Sequence, residues 1–112
     1  MGMNHKPLEL LPGTLDTLIL KALQRGPLHG YAIMQAIRNR SDEVLQVGES
    51  SLYPALQRLL LNGWVNAEWG ASENNRRARY YTLTPSGRKQ LAAERADLER
   101  MMTAIRQVLE TA

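Results

Sequence analysis

Cysteine and phenylalanine are both absent from these 112 residues. Without cysteine there is no disulfide framework and no thiolate metal site. The only histidines, His5 and His29, are too few and too far apart to form a ligand cluster, so no metal and no cofactor is expected. No apolar run approaches the ~20 residues of a membrane span, and the start lacks the apolar core of a signal peptide. Met1-Gly2 superficially resembles a myristoylation start, but Lys6 stands where Ser or Thr is required. A cytoplasmic protein without a membrane partner is the expectation. There is no Gly-rich phosphate loop and no acidic neighbour of His29 in sequence, so no catalytic residue is assigned and an enzyme is the weakest function class.

Charge of either sign is not in large excess. Fourteen basic and 11 acidic residues give a net charge of +3, too mild to establish a polyanion partner. Its distribution is more telling. From Asn74 to Gln90 the basic residues Arg76, Arg77, Arg79, Arg88 and Lys89 occur without one acidic residue. Such a cluster suits electrostatic docking, because screening confines its field to about 10 Å at moderate salt.

The length fits one domain, large enough to bury roughly two-thirds of its unfolded surface. Residues 1–13 read as a tail ending in Pro12-Gly13. Thr14 is suited to cap a first helix, in which Leu15, Leu18, Ile19, Ala22 and Leu23 recur at helical spacing before Gly26-Pro27 stops it. A second helix is predicted from about Gly30 to Arg40, with Ile33, Met34 and Ile37 on one side. Ser41 to Gly48 reads as a loop.

The third predicted helix places Leu52, Ala55, Leu56, Leu59 and Leu60 on one arc, leaving Ser50, Tyr53, Pro54, Gln57 and Arg58 on the other. Pro54 is tolerable only near a first turn, which sets the start at about Ser50, and Gly63 is the expected left-handed stop. Two strands follow. Val65, Ala67 and Trp69 alternate with polar partners, as do Tyr81 and Leu83, and the polar stretch Gly70 to Ala78 connects them. Thr84-Pro85 then caps and opens a last helix to about Leu109. Its apolar stripe is Leu91, Leu98, Met101, Met102, Ile105, Val108 and Leu109, interrupted by Glu94 and continuous from Leu98 onward. At ~35 Å this helix outruns a domain of this size, and its surplus stripe calls for a partner helix, that is, a homodimer.

Helices followed by a hairpin with a basic tip are the equipment of a winged helix-turn-helix: an α+β, mainly α fold, with residues 14–84 as the DNA-binding domain and 85–112 as a dimerisation helix. The segments Leu11-Pro12-Gly13-Thr14-Leu15, Gly30-Tyr31-Ala32-Ile33, Ser51 to Leu59, Gly63-Trp64-Val65 and Arg79 to Gly87 resemble the PadR-like family of bacterial transcriptional regulators. The resemblance runs from about Leu11 to the end of the last helix. It implies a winged-helix DNA-binding domain that dimerises through its terminal helices and represses nearby genes. The chain departs from the longer members in having one terminal helix, like the compact subgroup. It also departs from many relatives at the wing, where Asn75-Arg76-Arg77-Ala78-Arg79 replaces a Gly-Arg-Pro-Arg-like tip.

Residue by residue, Ser50 and Ser51 suit phosphate oxygens at a helix N-terminus. Gln57 suits adenine and Arg58 guanine, while Tyr53, beside Pro54, suits phosphate or a thymine methyl. Arg76, Arg77 and Arg79 suit the minor groove or its phosphates, and Tyr31 either the DNA backbone or packing. Trp64 and Trp69 read as anchors of the hairpin on the core, with an aromatic-lined ligand site as the other reading. The identity of a small-molecule effector does not follow from the sequence. The competing function is a winged helix that docks protein partners.

Overall fold

Pro12, not Thr14, opens the first helix of the computed structural model, which describes Leu8 and residues 10–112. Helix α1 spans Pro12–Ala22 and continues into a 3-10 turn, Leu23–Arg25. Proline at the first position has its φ already set and needs no N–H there, so the helix starts ahead of the expected cap. The Leu15 N–H reaches the Leu11 carbonyl at 3.0 Å. Most of the expected tail, including the Met1-Gly2 start and His5, lies outside the described residues, and Pro12-Gly13 belongs to α1.

A short strand, β1 (Leu28–His29), precedes α2 (Gly30–Arg40). The His29 ring caps α2, Nδ1 accepting from the Ala32 N–H at 3.2 Å. Helix α3 spans Glu49–Leu61, so Pro54 is its sixth residue rather than part of its first turn. Proline there removes the hydrogen bond to the Ser50 carbonyl, a loss made tolerable by the solvent exposure of both residues. Leu52, Ala55, Leu56 and Leu59 on the opposite side are buried. Gly63 ends the helix at φ 73°, with the Trp64 N–H returning to the Leu59 carbonyl at 3.0 Å.

Strands β2 (Val65–Ala71) and β3 (Arg77–Leu83) are longer than the sequence suggested, and β1 joins them in a three-stranded antiparallel sheet of order β1-β3-β2. A two-residue strand has no period to detect. The connection shrinks to Ser72–Arg76, a closed turn in which the Ser72 N–H bonds the Arg76 carbonyl at 2.7 Å and the Asn75 N–H the Ser72 carbonyl at 2.8 Å. Asn75 takes the left-handed conformation there, φ 57°, which asparagine accepts more readily than most residues.

Helix α4 spans Pro85–Glu110. The Thr84 hydroxyl accepts from the Gly87 N–H at 2.9 Å and donates to the Gly63 carbonyl at 2.8 Å, while the Thr84 N–H bonds the Trp64 carbonyl. A side chain at Gly87 would place its Cβ 2.0 Å from the Trp64 carbonyl oxygen, so only glycine lets α4 leave the sheet at this angle. Leu91, expected on the dimer stripe, is only 5% exposed and completes the domain's own core. Glu94, which breaks the heptads, instead docks α4 on α1, accepting from the Thr17 hydroxyl at 2.7 Å and from Gln90 at 2.8 Å. Beyond Leu98 every residue of α4 is exposed.

Gly87→Ala should lower the unfolding free energy by about 2–3 kcal/mol, the cost of overpacking against fixed backbone. Gly13→Ala, where nothing lies within 4 Å of the added Cβ, should raise it by about 0.5 kcal/mol through helix propensity. Urea titration of the two variants reads both signs; equal effects would refute the close approach at Gly87.

Candidate nucleic-acid interface

A cleft of about 600 Å³ opens between the start of α2, the exposed side of α3 and the inner face of the wing. Its walls include Tyr31, Tyr53, Trp69, Arg77 and Arg79, with the buried Tyr81 at its base and Glu73 as its one acidic residue. The antiparallel register explains the wing's contribution. Trp69 faces Arg79 and Ala67 faces Tyr81, so Arg77, Arg79, Tyr81 and Leu83 share one side of the hairpin with Val65, Ala67 and Trp69. Near the helices that side is the apolar core. Further out it becomes aromatic and cationic, turned toward the cleft.

Tyr53 closes the inner end. It lies over Gly30, whose missing side chain would stand 2.9 Å from the phenol oxygen. Partial burial pushes the Tyr53 phenol above its ordinary pKa, with the Glu49 charge and Tyr81 adding to the rise, so it presents a protonated hydroxyl. Tyr31 is exposed and accepts a hydrogen bond from Gln35 Nε2 at 3.1 Å, which leaves its own O–H to donate outward. Gln57 and Pro54 are exposed on α3. Ser50 and Ser51 are exposed at its start, but the Ser51 N–H is already spent on the Gly48 carbonyl at 3.2 Å, so Ser51 retains its hydroxyl alone.

The arginines divide by how their guanidinium planes are used. Arg58 turns away from the other α3 residues and grips Asp16 of α1, Nη2 to Oδ1 at 2.8 Å and Nε to Oδ2 at 3.3 Å. The hydrogen bonding raises its pKa above the usual arginine value, burial opposes this, and the Asp16 charge adds to the rise. Its in-plane donors are thus committed to tying α3 onto α1. Arg77 and Arg79 instead lie over rings, Arg77 at 4.7 Å from the Trp69 centroid and Arg79 at 5.8 Å from that of Tyr81. A stacked guanidinium uses its face and leaves its N–H edges for an acceptor. Among the described residues no acidic group lies within ion-pair distance of Arg76, Arg77 or Arg79.

Sequence reading missed Asp16, a polar residue inside an apolar helix with no local sign of its distant partner. It also misjudged Trp69, which is 60% exposed and walls the cleft; Trp64, partly buried, does pack against the core. Strand alternation carried the missing signal, since Arg77, Arg79 and Tyr81 are spaced by two and must share a face.

This assembly of helices, sheet and wing defines a winged-helix regulator. The model of the PadR-like family of transcriptional regulators matches residues 19–93, and the chain belongs to that family. A transcriptional regulator from Clostridium thermocellum is similar to it over 85% of this chain and 92% of that one, with a TM-score of 0.77 at 35% identity. A PadR family transcription regulator from Clostridium difficile R20291 superposes with a TM-score of 0.73 at 26% identity, covering 85% of this chain and 97% of that chain. An uncharacterised protein of Lysinibacillus sphaericus is 29% identical over 105 residues, 91% of this chain and 96% of its own length. The protein is accordingly a DNA-binding transcriptional regulator and not an enzyme. No helix among the described residues is long and apolar enough to cross a membrane.

If Arg58 ties α3 to α1, Arg58→Ala and Asp16→Ala should each destabilise the fold, and the double variant should lose little more than either alone. The coupling expected for a bidentate, partly exposed pair is about 0.5–1 kcal/mol. Additive losses in chemical denaturation would instead mean that the two side chains act independently.

Proposed function

We propose that the protein binds a palindromic operator as a homodimer and represses transcription by occupying it, with α3 in the major groove and the wing on the adjacent phosphates or minor groove. The observation that carries this reading is the convergence of two DNA-competent surfaces on one cleft. One is the exposed Ser50, Ser51, Tyr53 and Gln57 face of α3, and the other is the unpaired arginine face of the wing. A backbone strand bordering the major groove fits between them, with Tyr31 and Tyr53 donating to its phosphates. Gln57 is then the residue that reads a base edge, bidentate to adenine. Arg58 serves to hold the reading helix rather than to read.

The dimer is proposed to form through α4. The helix is ~39 Å long, and its outer half has no partner within the chain. There Met101, Met102, Ile105, Val108 and Leu109 stand exposed, the last at 79%. Leu98, half-buried, begins that seam, and Leu91 is not part of it. A small-molecule effector has no assigned site.

Two titrations separate gripping from reading, on an operator selected from random duplexes and on a scrambled duplex. Gln57→Ala should cost about 1–3 kcal/mol on the operator and less on scrambled DNA. Arg77→Ala should weaken both alike and make the salt slope shallower by about one, from about −7 if the dimer neutralises about eight phosphates. Reversed behaviour would overturn the allocation of roles, and a flat salt response would favour a protein-docking winged helix.

Charged replacements of Leu98 and Ile105 together should yield monomer in sedimentation equilibrium and weaken operator binding. A dimer of unaltered stability would refute the α4 seam.

A further inference from the structure

We propose that Trp69 is a positioning residue for DNA binding, holding the Arg77 guanidinium so that its N–H edge faces a backbone phosphate lying in the cleft. This inference rests on the reading of the cleft as a DNA-backbone site. Trp69 is an unusual residue to leave outside the core: it is 60% exposed, in the outer half of β2, and no apolar residue covers it. The role expected of an interior tryptophan, anchoring the hairpin, falls to Trp64, which packs against the core. What Trp69 does touch is Arg77, whose guanidinium carbon lies 4.7 Å from the ring centroid.

That contact has a directional consequence. A free arginine at a wing loses about 2 kcal/mol of rotamer entropy when a phosphate fixes it. Stacking restricts the side chain before DNA arrives, and it does so through the face of the guanidinium, so none of the five in-plane donors is consumed. The Asp16–Arg58 pair is the opposite arrangement, where a carboxylate takes the edge and removes the arginine from DNA chemistry. The wing is stiff enough to exploit the preorganisation. Its turn is closed by the Ser72–Arg76 hydrogen bond, and the Tyr80 hydroxyl, projecting from the other face, donates to the Ala71 carbonyl at 2.9 Å. Trp69, Arg77 and Arg79 therefore form a short ladder with a fixed direction toward the cleft.

The test is a double-mutant cycle on the full chain, read as affinity for a random-sequence duplex at fixed salt. Trp69→Ala should weaken binding about two- to fivefold, the range for an exposed cation–π contact. Trp69→Phe, which keeps a π face, should recover most of the loss; Trp69→Leu, apolar and without one, should not. In an Arg77→Ala background, Trp69→Ala should change nothing further. Thermal unfolding midpoints of the Phe and Leu variants should agree, separating positioning from a general loosening of the wing. The proposal is overturned if Leu restores binding as well as Phe, if the two losses add, or if Trp69→Ala binds as wild type while Arg77→Ala does not. Wild-type binding by Arg77→Ala would overturn the wing's gripping role itself.

Discussion

Everything that gives this fold a direction passes through the contact between Gly87 and the Trp64 carbonyl. Three elements meet there: the end of α3, the outer ends of both wing strands nearest the core, and the first turn of α4. Thr84 binds them with a backbone bond to Trp64 and a hydroxyl shared between Gly63 and Gly87. Hydrogen bonds of this kind contribute about 1 kcal/mol each, but their geometric effect is larger than their energy. They fix the angle between the helix proposed to read bases and the hairpin proposed to grip phosphates. They also aim α4 away from the body of the domain, which is why its outer half emerges unpartnered.

The second organising constraint is the chemistry of arginine. A guanidinium has a face and an edge, and the environment decides which is spent. On α3, Asp16 takes the edge of Arg58 and the residue becomes an interhelical tie. On the wing, aromatic rings take the faces of Arg77 and Arg79 and leave the edges outward. Counting basic residues near a helix cannot separate these cases. Net charge is equally blind to them, since a paired and a stacked arginine contribute the same +1.

Much of the architecture was legible because hydrophobic period is a one-dimensional shadow of burial. The α3 face of Leu52, Ala55, Leu56 and Leu59, the Gly63 stop and the Thr84-Pro85 start all follow from local rules, and they hold in the structure. Failures occurred where the deciding partner was distant. The roles of Glu94 and Arg58 depend on Thr17 and Asp16, 77 and 42 residues away in sequence. Strand β1 exists because β3 offers it an edge, not because Leu28-His29 has a pattern of its own. Leu91 obeyed the heptad spacing yet turned inward, since a helix beginning against its own domain spends its first turns there. The site was half legible: its residue types were visible on α3 and the wing, whereas their convergence on one cleft required the register of the hairpin.

In the proposed dimer these features are mechanically linked. Glu94 and Leu91 bind the first turns of α4 to the same body that carries α3, so the outer stripe of α4 cannot change its pairing angle without moving both reading helices. An operator with half-sites about one helical turn apart tolerates little such movement, because α3 must enter successive major grooves on one side of the duplex. A seam of methionine, isoleucine, valine and leucine is adaptable, methionine especially so, and alternative packings of it differ by modest free energies. The rigid part of the molecule is therefore the path from α4 to the DNA, and the deformable part is the seam itself. Control of binding, by whatever agent, is most economically exerted there, where a small repacking is converted by a ~39 Å lever into a displacement of the base-reading surface.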